Sequence, residues 1–230
     1  MLKSNQLTGL SNLNCPALTY IDLDSNKLTG SLPNFNLPSL RSLQINANQL
    51  TGSIPPLNLP ELTGLGLKSN KLTGSIPYLN LPKSISIDFS NNQLSGGIAQ
   101  VNLNSMVGLN LTNNRLNFDS MEYIYSRYFS VFFYPQANIK INSKNNLLSV
   151  NAGGTLSKNT YVWFQKQPDS SSFKGFKQAV GDSTLNNPPP GSYYAMVTNS
   201  ASPLLILFSD TVSIGLQLKL SNPNSSMINP

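Results

Sequence analysis

The stretch LQINANQLTGSIPPLNLP, from Leu43 to Pro60, returns almost unchanged as LGLKSNKLTGSIPYLNLP, from Leu65 to Pro82. The repetition extends both ways. Asn26, Asn48, Asn70, Asn92 and Asn114 lie 22 residues apart, and Asn5 precedes Asn26 by 21. Around them the line reads L-x-x-L-x-L-x-x-N-x-L-T-G-x-(I/L)-P-x-x-N-L-P. Full lines begin at Leu18, Leu40 and Leu62, and decayed lines at Ser84 and Met106. A fixed period of this length marks a solenoid whose coils stack on one another.

The columns follow from that stacking. Ile21 and Leu23 alternate with polar residues, so a short strand points them inward. Leu43 and Ile45, Leu65 and Leu67, Ile87 and Phe89, and Leu109 and Leu111 repeat the pattern. One coil cannot bury its apolar face alone. Coils stacked about 4.8 Å apart bury each other's. The asparagine after each strand turns inward, where its amide can serve the bare carbonyls and N–H groups of a tight bend. Asn5, Asn26, Asn48, Asn70, Asn92 and Asn114 are therefore structural.

These lines have the leucine-rich repeat pattern. Their LTGSIP tails resemble the plant-type subclass found in receptor ectodomains and polygalacturonase inhibitors. The resemblance implies a second short strand in that tail and a concave face, built on the first strands, where ligands bind. Its outward columns hold Tyr20, Ser42, Gly64, Ser86 and Gly108, then Asp22, Gln44, Gly66, Asp88 and Asn110, then Asp24, Asn46, Lys68, Ser90 and Thr112. The candidate ligand-binding residues are Tyr20, Asp22, Asp24, Gln44, Asn46, Lys68, Asp88 and Asn110. The same small, polar face also suits plain solvation.

Composition excludes several chemistries. With no His and one Cys, the chain lacks the ligands for zinc and the base for a Ser or Cys nucleophile. No disulfide can close within it. Asp22 and Asp88 sit three coils apart, about 14 Å at strand spacing. Glycosidase carboxylates work at about 5–9.5 Å. No catalytic residue, metal or cofactor is expected. The net charge of +6 is spread thinly, without the Lys/Arg runs that track nucleic acid. No apolar run reaches the roughly 18 residues of a membrane span. Charged residues make up only 10% of the chain, a balance that fits a secreted protein. Met1 is followed at once by repeat sequence, which reads as a fragment of a longer secreted precursor.

Smaller features have ordinary readings. Thr8, Thr29, Thr51, Thr73 and Ser95 form a column that resembles ice-binding faces, though turn chemistry already demands them. Cys15 falls in the column of Leu37, Leu59, Leu81 and Leu103, and is expected to be a small buried hydrophobe. Asn110-Leu-Thr112 and Asn224-Ser-Ser226 match the glycosylation pattern.

The rhythm is expected to stop near Leu116. Asp119 and Glu122 are spaced as a capping box for a short helix. That helix and YFSVFFYPQ, with Phe129, Val131 and Phe133 alternating, would cover the open end of the solenoid. Beyond Ala137, short β-runs between turn clusters such as NNPPPG argue for a β-sandwich. FKGFK, Phe173 to Lys177, reads as an edge hairpin with two inward phenylalanines.

TYVWFQK and GSYYAMVTNS resemble an immunoglobulin-like domain. In that likeness Trp163 is the core tryptophan and Tyr193 the corner tyrosine. Ala195 and Tyr161 stand in for the two cysteines. The expected fold is mostly β: a solenoid over 1–117, a cap and connector over 118–136, an immunoglobulin-like sandwich over 137–222, and a tail over 223–230. The order of parts resembles modular secreted proteins of Bacteroidetes bacteria. That implies a non-enzymatic adhesion or ligand-capture protein, secreted or on the cell surface, whose partner is a protein or glycan. A structural spacer in a surface fibre, an inhibitor of a secreted glycosidase and an ice-binding protein are the alternatives.

Overall fold

A computed structural model describes residues 2–99, 101–103, 108–125, 127 and 130–215. In chain order, its first strands are β1 (Tyr20–Asp22), β2 (Ser42–Gln44), β3 (Leu57–Asn58), β4 (Gly64–Gly66), β5 (Thr73–Ile76) and β6 (Leu79–Leu81). Then come β7 (Ser86–Asp88), β8 (Gln93–Ile98), β9 (Val101–Leu103) and β10 (Gly108–Asn110). A helix, α1 (Phe118–Tyr125), and β11 (Ser130–Phe132) follow. Strands β1, β2, β4, β7, β10 and β11 form one six-stranded parallel sheet in that order. Its register steps by 22 residues: Leu43 pairs with Leu65, Leu65 with Ile87, Ile87 with Leu109, and Leu109 with Val131. The β5–β8 sheet is the second short strand expected of LTGSIP. A third sheet, β3–β6–β9, arises from the NLP stretch, which the sequence reading had left as a bend.

The inward columns are buried from Ile21 and Leu23 to Leu109 and Leu111. The asparagines form a ladder between coils. Asn48 Nδ2 donates to the Leu23 carbonyl of the coil before it at 3.0 Å and to the Ile45 carbonyl of its own coil at 3.3 Å. Its Oδ1 accepts the Leu28 N–H at 3.0 Å. Asn70, Asn92 and Asn114 repeat this pattern. The amide is needed because the bend is tight: Ser25, Ala47, Ser69, Asn91 and Asn113, just before the ladder, have φ between 53° and 56°. That left-handed conformation strips the neighbouring groups of strand partners. Asn5, in the first coil, is exposed and donates only to the Leu2 and Lys3 carbonyls. Cys15 is exposed, contrary to expectation. Leu37, Leu59 and Leu81 in its column have a coil on either side, whereas its own coil has none before it among the described residues.

The solenoid continues past Leu116. Val131 and Phe133 pack inward, and Phe133 is buried. Gln136 takes the next rung of the ladder, 22 residues after Asn114. Its Nε2 donates to the Leu111 carbonyl at 2.9 Å and to the Phe133 carbonyl, and its Oε1 accepts the Leu116 N–H at 2.9 Å. Phe129 and Met106 lie outside the described residues. Helix α1 fills the stretch that the LTGSIP turn occupies in other coils. Its N-cap is Asn117, whose Oδ1 accepts the Asp119 N–H at 3.2 Å. The capping box expected of Asp119 and Glu122 does not form, because both carboxylates reach out to the second half.

That half holds β12 (Ile141–Lys144), β13 (Leu147–Val150), β14 (Asn159–Lys166), β15 (Phe173–Val180), β16 (Thr184–Asn186), β17 (Gly191–Asn199), β18 (Ile206–Phe208) and β19 (Val212–Ile214). One antiparallel sheet runs β12–β13–β16. The other runs β15–β14–β17–β18, with β19 also on β17. Trp163 is 1% exposed, and Tyr193, Ala195, Val197, Leu148, Val150 and Leu207 are buried with it. The Tyr193 hydroxyl donates to the Pro189 carbonyl at 2.6 Å. Tyr161 does not face Ala195 across two sheets. It shares β14 with Trp163, which pairs with Ala195 in the same sheet; the opposite sheet supplies Leu148 and Val150. FKGFK is an edge strand, and a bulge opposite Trp163 and Phe164 splits its aromatics. Phe173 packs edge-on to Tyr194, and Phe176, still 43% exposed, packs edge-on to Tyr193. The two phenylalanines are therefore not both inward. Lys177 is tied to Asp182 at 2.8 Å. The tail over 223–230, with the Asn224 sequon, lies outside the described residues.

Glu122 joins the halves. Its carboxylate accepts the Thr155 N–H at 2.7 Å, the Thr155 hydroxyl at 2.8 Å and the Asn199 amide at 2.7 Å, with Lys158 Nζ at 3.5 Å. Burial alone would raise its pKa. The bonds from Thr155 and Asn199, with the Lys158 charge, hold it below the usual range. Asp119 accepts the Gly154 N–H at 2.7 Å. Gly154 has φ +73°, and a Cβ there would meet Phe118 Cβ at 2.6 Å, so no other residue lets the loop lie this close to α1.

Candidate functional site

The concave face is the outward side of the six-stranded sheet. Every candidate residue read from the sequence is on it, and the structure shows how each polar atom is used. Asp22 Oδ1 accepts the Asp24 N–H at 3.1 Å, and Asp24 Oδ1 accepts the Asn46 N–H at 2.6 Å. Asn46 Oδ1 accepts the Lys68 N–H at 2.8 Å, while its Nδ2 donates to Gln44 Oε1 at 3.0 Å. Asp88 Oδ1 accepts the Ser90 N–H at 2.9 Å, and Asn110 Oδ1 accepts the Thr112 N–H and hydroxyl at 3.2 and 3.0 Å. Past each strand the backbone leaves the sheet, and these short side chains satisfy the N–H groups freed there. Tyr20 and Lys68 are exposed, and no side-chain hydrogen bond engages either among the described residues.

The glycines shape the middle of the face. Gln44 and Asn46 lie over Gly66, where a Cβ would meet Gln44 Oε1 at 2.1 Å and Asn46 Nδ2 at 2.5 Å. Gly64 and Gly108 leave room beside them, because a Cβ there would make ordinary contacts at 3.5 and 3.6 Å. The result is a shallow trough between aromatic ends.

The far end was not foreseen. Phe132 pairs in register with Asn110, in the column of Asp22, Gln44, Gly66 and Asp88. Tyr134, two residues on, points to the same side. Phe132 is 61% exposed and Tyr134 57%. Tyr20, 43% exposed, stands on the opposite end strand, five strand spacings or about 24 Å away. Adding 22 to Asn110 and Thr112 finds both aromatics in the sequence, once the sixth line is recognised.

The arrangement offers no paired carboxylates with free oxygens facing each other. Among the described residues no group of His, Cys, Asp or Glu could hold a metal ion. No helix there is long and apolar enough to cross a membrane. In the threonine column, Thr29 and Thr51 turn their hydroxyls to the Thr8 and Gly30 carbonyls of the coils before them, at 3.2 and 3.4 Å.

Residues 17–36 match the family described as Leucine Rich Repeat. The chain thus carries leucine-rich repeats wound into a β-solenoid of about five turns. Such repeats generally mediate protein binding. No curated protein and no solved structure matches the chain.

Proposed function

We propose that this chain is a non-enzymatic, extracellular or cell-surface binding protein that captures a protein segment in its concave trough. The observation that carries the reading is the exposed pair Phe132 and Tyr134 beside the trough's polar columns. Large aromatics left in water at the edge of an otherwise small-residue surface are the side chains that anchor protein partners. The candidate polar residues set the shape of the trough, since most of their oxygens and amides already serve the backbone. A glycan is the alternative ligand on the same face. The second half reads as an immunoglobulin-like sandwich, supported by the buried Trp163 and by the Tyr193 hydroxyl bond to Pro189.

The test is obstruction. Gly64→Arg and Gly108→Arg put bulk into the trough where a Cβ is tolerated. The intact chain and both variants are run over arrays of extracellular proteins and of glycans. A saturable partner lost in both variants supports the reading, and one that binds all three equally refutes it. A spacer role is favoured by one observation, the Glu122 contacts that fix one half to the other. It predicts no partner on the trough at all.

A further inference from the structure

A second concave site lies where the two halves meet, away from the trough. The groove there holds about 660 Å³, the size of a small-ligand site. The solenoid contributes Arg115, just after the Asn114 rung, and the second half contributes Lys140, Asn138, Asn142, Asn151 and Asp210. The Asp210 N–H donates to the Ile139 carbonyl at 3.0 Å, which fixes that wall. Ser95 and Arg115 are bridged as neighbouring parallel segments, which fixes the other.

Its charges are not spent. The ion pairs among the described residues are Lys83–Glu61, Lys158–Glu122 and Lys177–Asp182, so none uses Arg115 or Lys140. Two cations from different halves thus face one groove, against the single carboxylate of Asp210. An arginine with a free guanidinium fits a carboxylate bidentately. Asparagine amides both donate and accept, as hydroxyl groups require. The apolar lining is limited to Ala137 and Ile139, so a peptide's large side chains find no pocket.

We propose that this junction groove binds an acidic saccharide, its carboxylate held between Arg115 and Lys140 and its hydroxyls by the asparagine amides. The contacts through Glu122 keep the two walls at a fixed separation. The site is independent of the trough, so either assignment can fail alone.

The intact chain is run over an array of uronate- and sialate-containing oligosaccharides printed beside their carboxyl-reduced forms. Binding to at least one acidic member, and not to its reduced form, is expected. Arg115→Gln and Lys140→Gln each weaken it by about ten-fold, the scale of a charge-assisted bond, and added salt weakens it too. Asp210→Asn strengthens it by removing the opposing carboxylate. Phe132→Ala leaves it unchanged. A blank array overturns the proposal. So does equal binding of the reduced forms, or binding indifferent to both cation substitutions.

Discussion

Replacing Asn70 with alanine tests the ladder that makes the repeat necessary. The Asn70 amide donates to the Ile45, Leu67 and Lys68 carbonyls at 3.0, 3.1 and 3.4 Å, and its Oδ1 accepts the buried Leu50 N–H at 3.1 Å. Not every partner is orphaned. Ile45 O keeps the Asn48 amide at 3.3 Å, and Leu67 O keeps the Asn92 amide at 3.0 Å. The Leu50 N–H loses its acceptor outright, which costs about 1–3 kcal/mol. The two strong carbonyl bonds add about 0.5–1 kcal/mol each. Asn70→Ala should therefore lower stability by about 3 kcal/mol in urea titration. Asn5→Ala, at the exposed rung, should lose under about 1 kcal/mol. Equal losses at the two positions, or a loss below about 1 kcal/mol at Asn70, would refute the reasoning.

Further outcomes follow from the same contacts. Gln136→Ala should cost about 2 kcal/mol if Gln136 is a rung rather than part of a surface loop. Trp163 is the single tryptophan and is buried, so its fluorescence reports the second half, while far-UV circular dichroism reports both. Both transitions should coincide in the parent chain. Glu122→Ala, which removes the acceptor of Thr155 and Asn199, should separate them and cost about 2 kcal/mol; coincident transitions in the variant count against the joint. Asp182 is held down to about 2 by the Lys177 and Thr184 bonds. Its folded pKa lies below its unfolded one, so its contribution is full above about pH 4 and lost as pH falls through about 2. The stability gap between the parent chain and Asp182→Asn should close across that window, and a gap constant down to pH 2 contradicts the assignment.

Much of this was legible in the residues, and the misses have physical causes. The inward leucines and the asparagines are periodic because each coil needs the same contacts, so spacing alone locates them. The sixth line kept its spacing but changed its letters: Val131, Phe133 and Gln136 replace Leu109, Leu111 and Asn114. Gln can do the work of Asn there because its longer amide still reaches Leu111 O. Asp119 and Glu122 have the spacing of a capping box, and only the approach of the Gly153–Gly154 loop decides that they face the second half. The trough's polar residues looked available to a ligand, since a sequence cannot show that Asp24 already accepts from Asn46 one coil away. Cys15 was placed by its column, but the column buries a residue only where a coil lies on both sides.

The most direct test of the central claim is the affinity of the chain and of its Phe132→Ala/Tyr134→Ala variant for the partners found by array. Both side chains are exposed, so the variant should keep the parent's unfolding midpoint. The account predicts at least one saturable protein partner whose affinity falls by about ten-fold or more, as for hot-spot aromatics. A partner held equally well by the variant would remove the concave trough as the binding surface.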